Sequence, residues 1–380
     1  MRRSLYEPEH DAFRDMVRAF VAKQVVPFHA EWEKAGVVDR GLWLEAGKQG
    51  LLGTAVPEQY GGGGVEDFRY NCVVGEEIVK VGASGVGFTL HNDVMAPYLL
   101  ALTTDEQKDR WLPPFVTGEM ITAIAMSEPG AGSDLQGLRT TARRDGSDWL
   151  ISGSKTFITN GINADLVLVV ARTDPDKGAH GFSLLAVERG MPGFERGRNL
   201  DKVGMKAQDT AELFFDDVRV PAANLVGQEG GGFIHLMKAL PQERLSIAVA
   251  AVAGARAVFD LTLAYCKERT AFGKPIGTFQ HNRFLLAEMD TEISIAEQYL
   301  DRAVAEHNAS RFDVKDAAMA KWWTTELQKK VVDGCVQLHG GYGYMSEYPV
   351  SKAWRDARVQ SIYGGTNEIM KEIIGRSMGL

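Results

Sequence analysis

A block of short β-branched and aromatic runs divides a chain whose other apolar residues recur at helical spacing, and this order constrains the fold more than any single motif. The runs LVLVVAR at 166–172, FSLLAVE at 182–188 and AELFFDDVRVP at 211–221 are bounded by Gly, Pro, Asn and Asp, as strands are. DWLISGSKTFITNG at 148–161 is predicted to be a hairpin turned at Gly153. Ahead of the block, Phe13, Met16, Val17, Phe20, Val21 and Val25 mark one helical face before Pro27, and helical texture continues at 41–53, 66–80 and 103–119. In the last of these Thr104 is predicted to cap a helix stopped by Pro113 and Pro114. Behind the block, helices are predicted over 243–267, 281–308 and 314–338, with shorter pieces near 349–360 and 367–376. Phe284, Leu285, Met289, Ile293, Ala296, Leu300, Ala303 and Val304 form one stripe on a helix of about seven turns, the kind that packs in a bundle. At 380 residues the chain exceeds one ordinary domain of roughly 100–200. An α+β chain is expected, with an N-terminal helical domain over 1–120, a middle β-barrel domain over 121–232 and a C-terminal helical bundle over 233–380.

Composition removes several function classes. A net charge of −8 with interspersed signs offers no basic stripe for a phosphate backbone, so nucleic acid is not an expected partner. Cys72, Cys266 and Cys335 stand far apart, which fits neither a zinc site nor a disulfide framework and points to a reducing, cytoplasmic compartment. The stretch MRRSLYEPEH has no apolar region behind its basic residues, and no run of ~18 apolar residues is evident, so no membrane span is expected. No GxGxxG opens a βαβ unit, and ligands for haem, zinc or a P-loop are missing; YGGGG at 60–64 reads as a surface loop.

Several segments could hold a ligand, and each has a plainer reading. IAMSEPGAGSDL at 124–135 sets small residues after an apolar run, letting backbone N–H groups approach a planar molecule, although alone such a loop is a turn. In KTFITNG at 155–161, alternation would put Phe157 and Thr159 on one face; by itself Phe157 reads as a barrel-core aromatic. Within ERTAFGKPIGTFQ at 268–280, Arg269 sits at a helix end, where it is ordinarily solvated or offsets the dipole. In LHGG at 338–341, His339 reads as a capping or turn histidine. Thr366 is a plausible N-cap whose first-turn N–H groups suit an anion, and Glu368 is favoured there by the dipole. Glu243 in LPQERL at 240–245 follows Pro241, which suits a helix start, and would ordinarily be a first-turn acid paired with Arg244 or the dipole.

Taken together, EPGAGSD, KTFITNG, ERTAFGKPIGTFQ, LHGG and IYGGTNEIMKE resemble, in order and spacing over nearly the whole chain, the acyl-CoA dehydrogenases, flavoenzymes that desaturate acyl thioesters between Cα and Cβ. The resemblance implies FAD as cofactor, with Met126, Ser127, Phe157 and Thr159 at the flavin ring. It places Gln337, Leu338, Gly340, Gly341, Thr366 and Glu368 around the dinucleotide. Arg269 and Gln280 would reach the FAD of a neighbouring subunit, and Ser133 the CoA of the substrate. Phe157 departs from the tryptophan common in the family, so any contact through an indole N–H is lost. The implied partners are an acyl-CoA substrate and an electron-transfer flavoprotein, and the implied assembly is a homotetramer.

A second departure redirects the search for the base. Many members carry glutamate immediately before the Gly-Thr of the last motif, where this chain has Gly364. The long-chain and isovaleryl members instead carry their base in an ERL sequence, and Glu243 with Arg244 in LPQERL matches the long-chain type. Proton removal α to a thioester needs a base within hydrogen-bond reach, and enclosure by acyl chain and flavin would raise a carboxylate's pKa toward that task. The resemblance further implies that the Gly364 N–H polarises the thioester carbonyl and that Arg244 holds nearby groups. Straight, branched and sterol-derived acyl groups stay open, as do an oxidase on the same fold and a non-catalytic acyl-CoA-binding homologue. Given suitable geometry at the loop, restoring a carboxylate at 364 in a Glu243→Gln background is expected to recover some activity.

Overall fold

The computed structural model describes residues 3–380; Met1 and Arg2 of the basic N-terminal stretch lie outside it. Six helices come first: α1 (Pro8–Phe20), α2 (His29–Ala35), α3 (Arg40–Lys48), α4 (Phe68–Lys80), α5 (Ala96–Leu102) and α6 (Asp105–Thr117). Thr104 caps α6 in a reciprocal box, its Oγ1 accepting from Gln107 N at 3.3 Å while Thr104 N donates to Gln107 Oε1 at 3.0 Å. Pro113 and Pro114 do not stop α6, which runs on to Thr117 and ends at Gly118 with φ +78°. The residues four back, Asp109 and Arg110, are exposed, so carbonyls without a helical donor meet water, while buried Trp111, Leu112, Phe115 and Val116 hold the helix in place.

The middle of the chain forms one eight-stranded sheet from β1 (Thr122–Ala125), β2 (Thr141–Asp145), β3 (Asp148–Thr159), β4 (Leu166–Arg172), β5 (Phe182–Glu188), β6 (Phe194–Asn199), β7 (Thr210–Val220) and β8 (Leu225–Val226). The order is β6-β7-β3-β2-β4-β5-β8, with β1 alongside β4. Val167, Val169 and Ala171 of β4 face an inner core with Trp149, Ile151, Leu185 and Leu213, whereas Leu166, Leu168 and Val170 pack outward with Trp111 and Phe115 of α6. Burial on both faces is why this strand reads as a continuous apolar run. The predicted hairpin at 148–161 is instead a single strand, β3. Gly153, with φ +148°, sits at a register shift in the pairing with β7, and a Cβ there would come within 2.6 Å of the Thr140 hydroxyl. The nearby hairpin joins β2 to β3 through Gly146 and Ser147, between paired Asp145 and Asp148.

A helical bundle completes the chain: α7 (Gly232–Glu268), a small ladder of β9 (Thr270–Ala271) and β10 (Lys274–Pro275), then α8 (Gln280–Asn308), α9 (Val314–His339), α10 (Pro349–Ala357) and α11 (Asn367–Ser377). Pro241 does not start α7 but lies inside it, so Glu243 occupies the interior of the helix rather than its first turn. Buried Leu236 and Leu240 before the proline, and Leu245 and Ala248 after it, hold the helix across the missing hydrogen bond. Among the described residues α7 alone is long and apolar enough to cross a membrane, with a window of mean hydropathy 1.7. It packs as a core helix, with Val249, Val252, Ala255, Val258 and Phe259 against Leu300, Val331 and Val332. Cys72, Cys266 and Cys335 are buried and unpaired.

Candidate active site

Glu243 on α7 looks toward the loop that precedes α11. Its Oε2 is sealed from solvent and has no hydrogen-bond partner. Gly364, with φ +63°, lies opposite: a Cβ there would sit 3.7 Å from Glu243 Oε1 and 2.3 Å from Ile247 Cδ1. The carboxyl thus approaches the point that a side chain at 364 would occupy, and Ile247 fills the rest. Burial raises the Glu243 pKa above the ordinary carboxylate value, while the charges of Arg244 and Lys321 pull it partly back. Tyr98 and Tyr363 flank the carboxyl, and both phenols are held well above their usual pKa, by burial first and then by the negative charge of Glu243.

Two buried cations fix the glycine loop from behind. Arg244 Nε donates to the Gly364 carbonyl at 3.4 Å, and Lys321 Nζ donates to the next carbonyl, Gly365 O, at 2.8 Å and to Asn367 Oδ1 at 3.0 Å. Asn367 Nδ2 in turn donates to Glu326 Oε1 at 2.7 Å. Lys321 is fully buried, and burial followed by the like charge of Arg244 pushes its pKa down to about 8. Thr366 caps α11 as expected, accepting from Ile369 N at 3.3 Å, with Glu368 exposed in the first turn.

On the β side, Met126 and Ser127 are half-buried at the end of β1, and Ser133 is exposed in the turn that follows. Phe157 is not a barrel-core aromatic: it is 69% exposed. Nor does simple alternation place it, because β3 bulges between Lys155 and Ile158 and Phe157 takes φ +59°. A left-handed backbone at a bulky aromatic is strained, and such strain collects at ligand sites. Thr159, two residues on, is half-buried, with Ile158 buried between them.

Farther along the bundle, Arg269, Gln337, Leu338, Gly340 and Gly341 converge on one open cavity of about 570 Å³, with Tyr265, His339 and Tyr342. Added Cβ atoms at Gly340 and Gly341 would meet nothing within 4 Å, so the backbone there is open to a ligand. His339 stacks on Tyr265 with centroids 4.2 Å apart, and its Nδ1 pairs with the Cys335 carbonyl at 2.9 Å, which fixes its ring rather than freeing it as a ligand. Gln280 begins α8, exposed and outside that cavity.

Sequence reasoning missed Lys321 and Asp93. Lys321 interrupts the Ala-rich face of α9, and a lone cation on an apolar face was the available signal. Asp93 is buried in a π-turn at Leu90–Met95, accepting from Asn71 Nδ2 at 2.7 Å and from the Ser246 hydroxyl of α7, with burial raising its pKa to about 6. Its partners are distant in sequence, so no local pattern announces it.

The chain matches the family profiles described as acyl-CoA dehydrogenase N-terminal domain over residues 7–119, middle domain over 123–218 and C-terminal domain over 230–379. It is 52% identical to the mitochondrial long-chain specific acyl-CoA dehydrogenase of Rattus norvegicus over 378 residues, covering 99% of this chain and 88% of that protein. The crystal structure of acyl-CoA dehydrogenase from Geobacillus kaustophilus superposes with a TM-score of 0.98 at 51% identity, covering 100% of both chains. An acyl-CoA dehydrogenase from Bacillus anthracis, complexed with FAD, superposes with a TM-score of 0.91 at 30% identity, covering 98% of this chain and 68% of that one. Agreement across all three parts of the chain settles the assignment: it belongs to the acyl-CoA dehydrogenase family and is an FAD-dependent acyl-CoA dehydrogenase.

Proposed function

We propose that this enzyme converts long-chain fatty acyl-CoA to the trans-2-enoyl-CoA, with Glu243 as the base, and that its electrons leave to an electron-transfer flavoprotein. The observation that carries this reading is the unpartnered, buried carboxyl oxygen of Glu243 facing a glycine at 364. The 52% identity to a long-chain relative favours long straight chains over branched ones, while the pairing of glutamate in LPQERL with glycine in IYGGTNEIMKE, common to long-chain and isovaleryl members, supports α7 as the place of the base.

The residues present fit FAD. Exposed Phe157, on a strained bulge, offers a flat wall for the ring system, with Met126, Ser127 and Thr159 around it. The open glycine backbone at 340–341, with Gln337 and Leu338, suits the dinucleotide, and Thr366 with Glu368 opens α11, whose N–H groups suit a phosphate. Arg269, at the mouth of the cavity, and Gln280, outside it, are both exposed, as residues reaching a neighbouring subunit would be. When bound, FAD supplies the acceptor for the β-hydride. Glu243 takes the α-proton, and the Gly364 N–H donates to the thioester oxygen as negative charge grows there. Arg244 and Lys321 keep that N–H aimed by holding the two carbonyls that follow it, those of Gly364 and Gly365, and Ser133 contacts the CoA.

We place the enzyme in a cytoplasmic, reducing compartment, which suits its three buried free thiols. We also propose a homotetramer: Phe272, at the tip between β9 and β10, is 96% exposed, and Phe284 and Ile295 of α8 are open to solvent. Sedimentation should give four times the chain mass; a monomer would refute it.

An acyl-CoA panel scored by anaerobic bleaching of the flavin should show the fastest reduction with long straight chains. Isovaleryl-CoA outpacing them would remove the substrate assignment. Reduced enzyme should then pass electrons quickly to the flavoprotein and slowly to air; rapid reoxidation by oxygen would make it an oxidase.

A further inference from the structure

The two segments assigned to the flavin ring, 126–127 and 157–159, are joined by a buried ion pair that the scheme above does not use. Lys155 is fully buried, and its Nζ donates to the Met126 carbonyl at 3.0 Å and to Glu128 Oε1 at 2.9 Å. Glu128 is buried as well. Its Oε1 also accepts from Thr140 N at 2.9 Å and its Oε2 from Arg139 N at 2.7 Å. Alongside, Thr156 N donates to the Ser127 carbonyl at 2.9 Å. The carbonyls of Met126 and Ser127 are therefore each held by one of the two residues that immediately precede strained Phe157. The same carboxylate closes the turn carrying Ser133, because Arg139 and Thr140 lie on its far side.

Stability is a weak reason for such a pair. Desolvating both charges offsets their attraction, and apolar residues of similar volume commonly fold as well or better. What apolar residues would not supply is a donor to the Met126 carbonyl or an acceptor that fixes the 128–140 turn. We infer that Lys155 and Glu128 are positioning residues for the flavin and CoA ends of the site: one buried pair sets the register between Met126, Phe157 and the turn that carries Ser133. The inference rests on the proposed placement of the ring at Met126 and Phe157.

The test compares holoenzyme of wild type, K155M, K155M/E128Q, E128D and, as a control for ring placement, F157A. The visible spectrum of bound flavin, its midpoint potential, the FAD dissociation constant, and kcat and KM for an acyl-CoA are measured. In the double variant the flavin band and potential shift, and flavin reduction slows by about a hundredfold, the scale expected when a support shell lets a reactive centre move by about 1 Å. E128D, which keeps the charge but shortens the reach, falls between it and wild type. Should K155M fail to fold with Glu128 left unpaired, the double variant, which removes both charges, carries the decision. A shifted spectrum in F157A with wild-type spectrum, potential and rate in the double variant would overturn the inference alone. A silent F157A would overturn the ring placement and the inference together.

Discussion

Glu243→Gln should slow anaerobic bleaching of the flavin by acyl-CoA about a thousandfold or more, while FAD stays bound. That is about 4 kcal/mol of lost barrier lowering, within the reach of one well-placed base. The amide has nearly the carboxyl's shape, and Oε2 has no hydrogen bond to lose, so the fold and the FAD site are left intact. Linkage gives the sign of the pH dependence. Burial raises the Glu243 pKa in the folded enzyme, so the working carboxylate form appears at a higher pH than it would for an ordinary carboxyl, and the bleaching rate of wild type climbs with pH through that shifted titration. The folded state also binds that proton more tightly than the unfolded chain, so stability from this group is full below its unfolded pKa and is lost as pH rises through the folded value. Glu243→Gln lacks both the climb in rate and the decline in stability. Undiminished bleaching in the variant would mean that another group takes the proton.

What could be read from the chain, and what could not, follows from the range of the forces involved. Strands β4, β5 and β7 were visible because apolar runs and their bounding turns are local. The β3 hairpin was misplaced because Gly153 marks a bulge imposed by Thr140 and by pairing with β7, neither of which lies beside it in sequence. Both helix-boundary errors came from proline. At Pro113, Pro114 and Pro241 the local preference to break a helix is outweighed by buried neighbours on either side. The site divides in the same way. Thr366 as a cap and Glu243 opposite Gly364 were legible, the first from local chemistry and the second from the resemblance. Lys321 and the Lys155–Glu128 pair gain their meaning only from the backbone carbonyls they meet across the fold.

Moving the carboxylate back to the loop should fail unless Ile247 is also trimmed. In Glu243→Gln/Gly364→Glu the new Cβ would meet Ile247 Cδ1 at 2.3 Å, and the residue would have to hold φ +63°. Left-handed backbone at a residue with a Cβ costs about 1–2 kcal/mol, and the end of the half-buried Ile247 side chain has to turn aside, so this variant should melt earlier and bleach little faster than Glu243→Gln. Replacing Ile247 by alanine removes the colliding atoms. The geometry then favours recovery, because the 364 Cβ direction begins 3.7 Å from where Glu243 Oε1 now lies, which puts a carboxyl grown from it into the same space. The triple variant should therefore bleach at least about tenfold faster than Glu243→Gln/Ile247→Ala, a modest part of what general-base catalysis can supply. Near wild-type bleaching by Glu243→Gln/Gly364→Glu with Ile247 intact would show that the loop held by Arg244 and Lys321 yields to a side chain at 364. In that case the relocation of the base to α7 could not be attributed to the space Ile247 occupies.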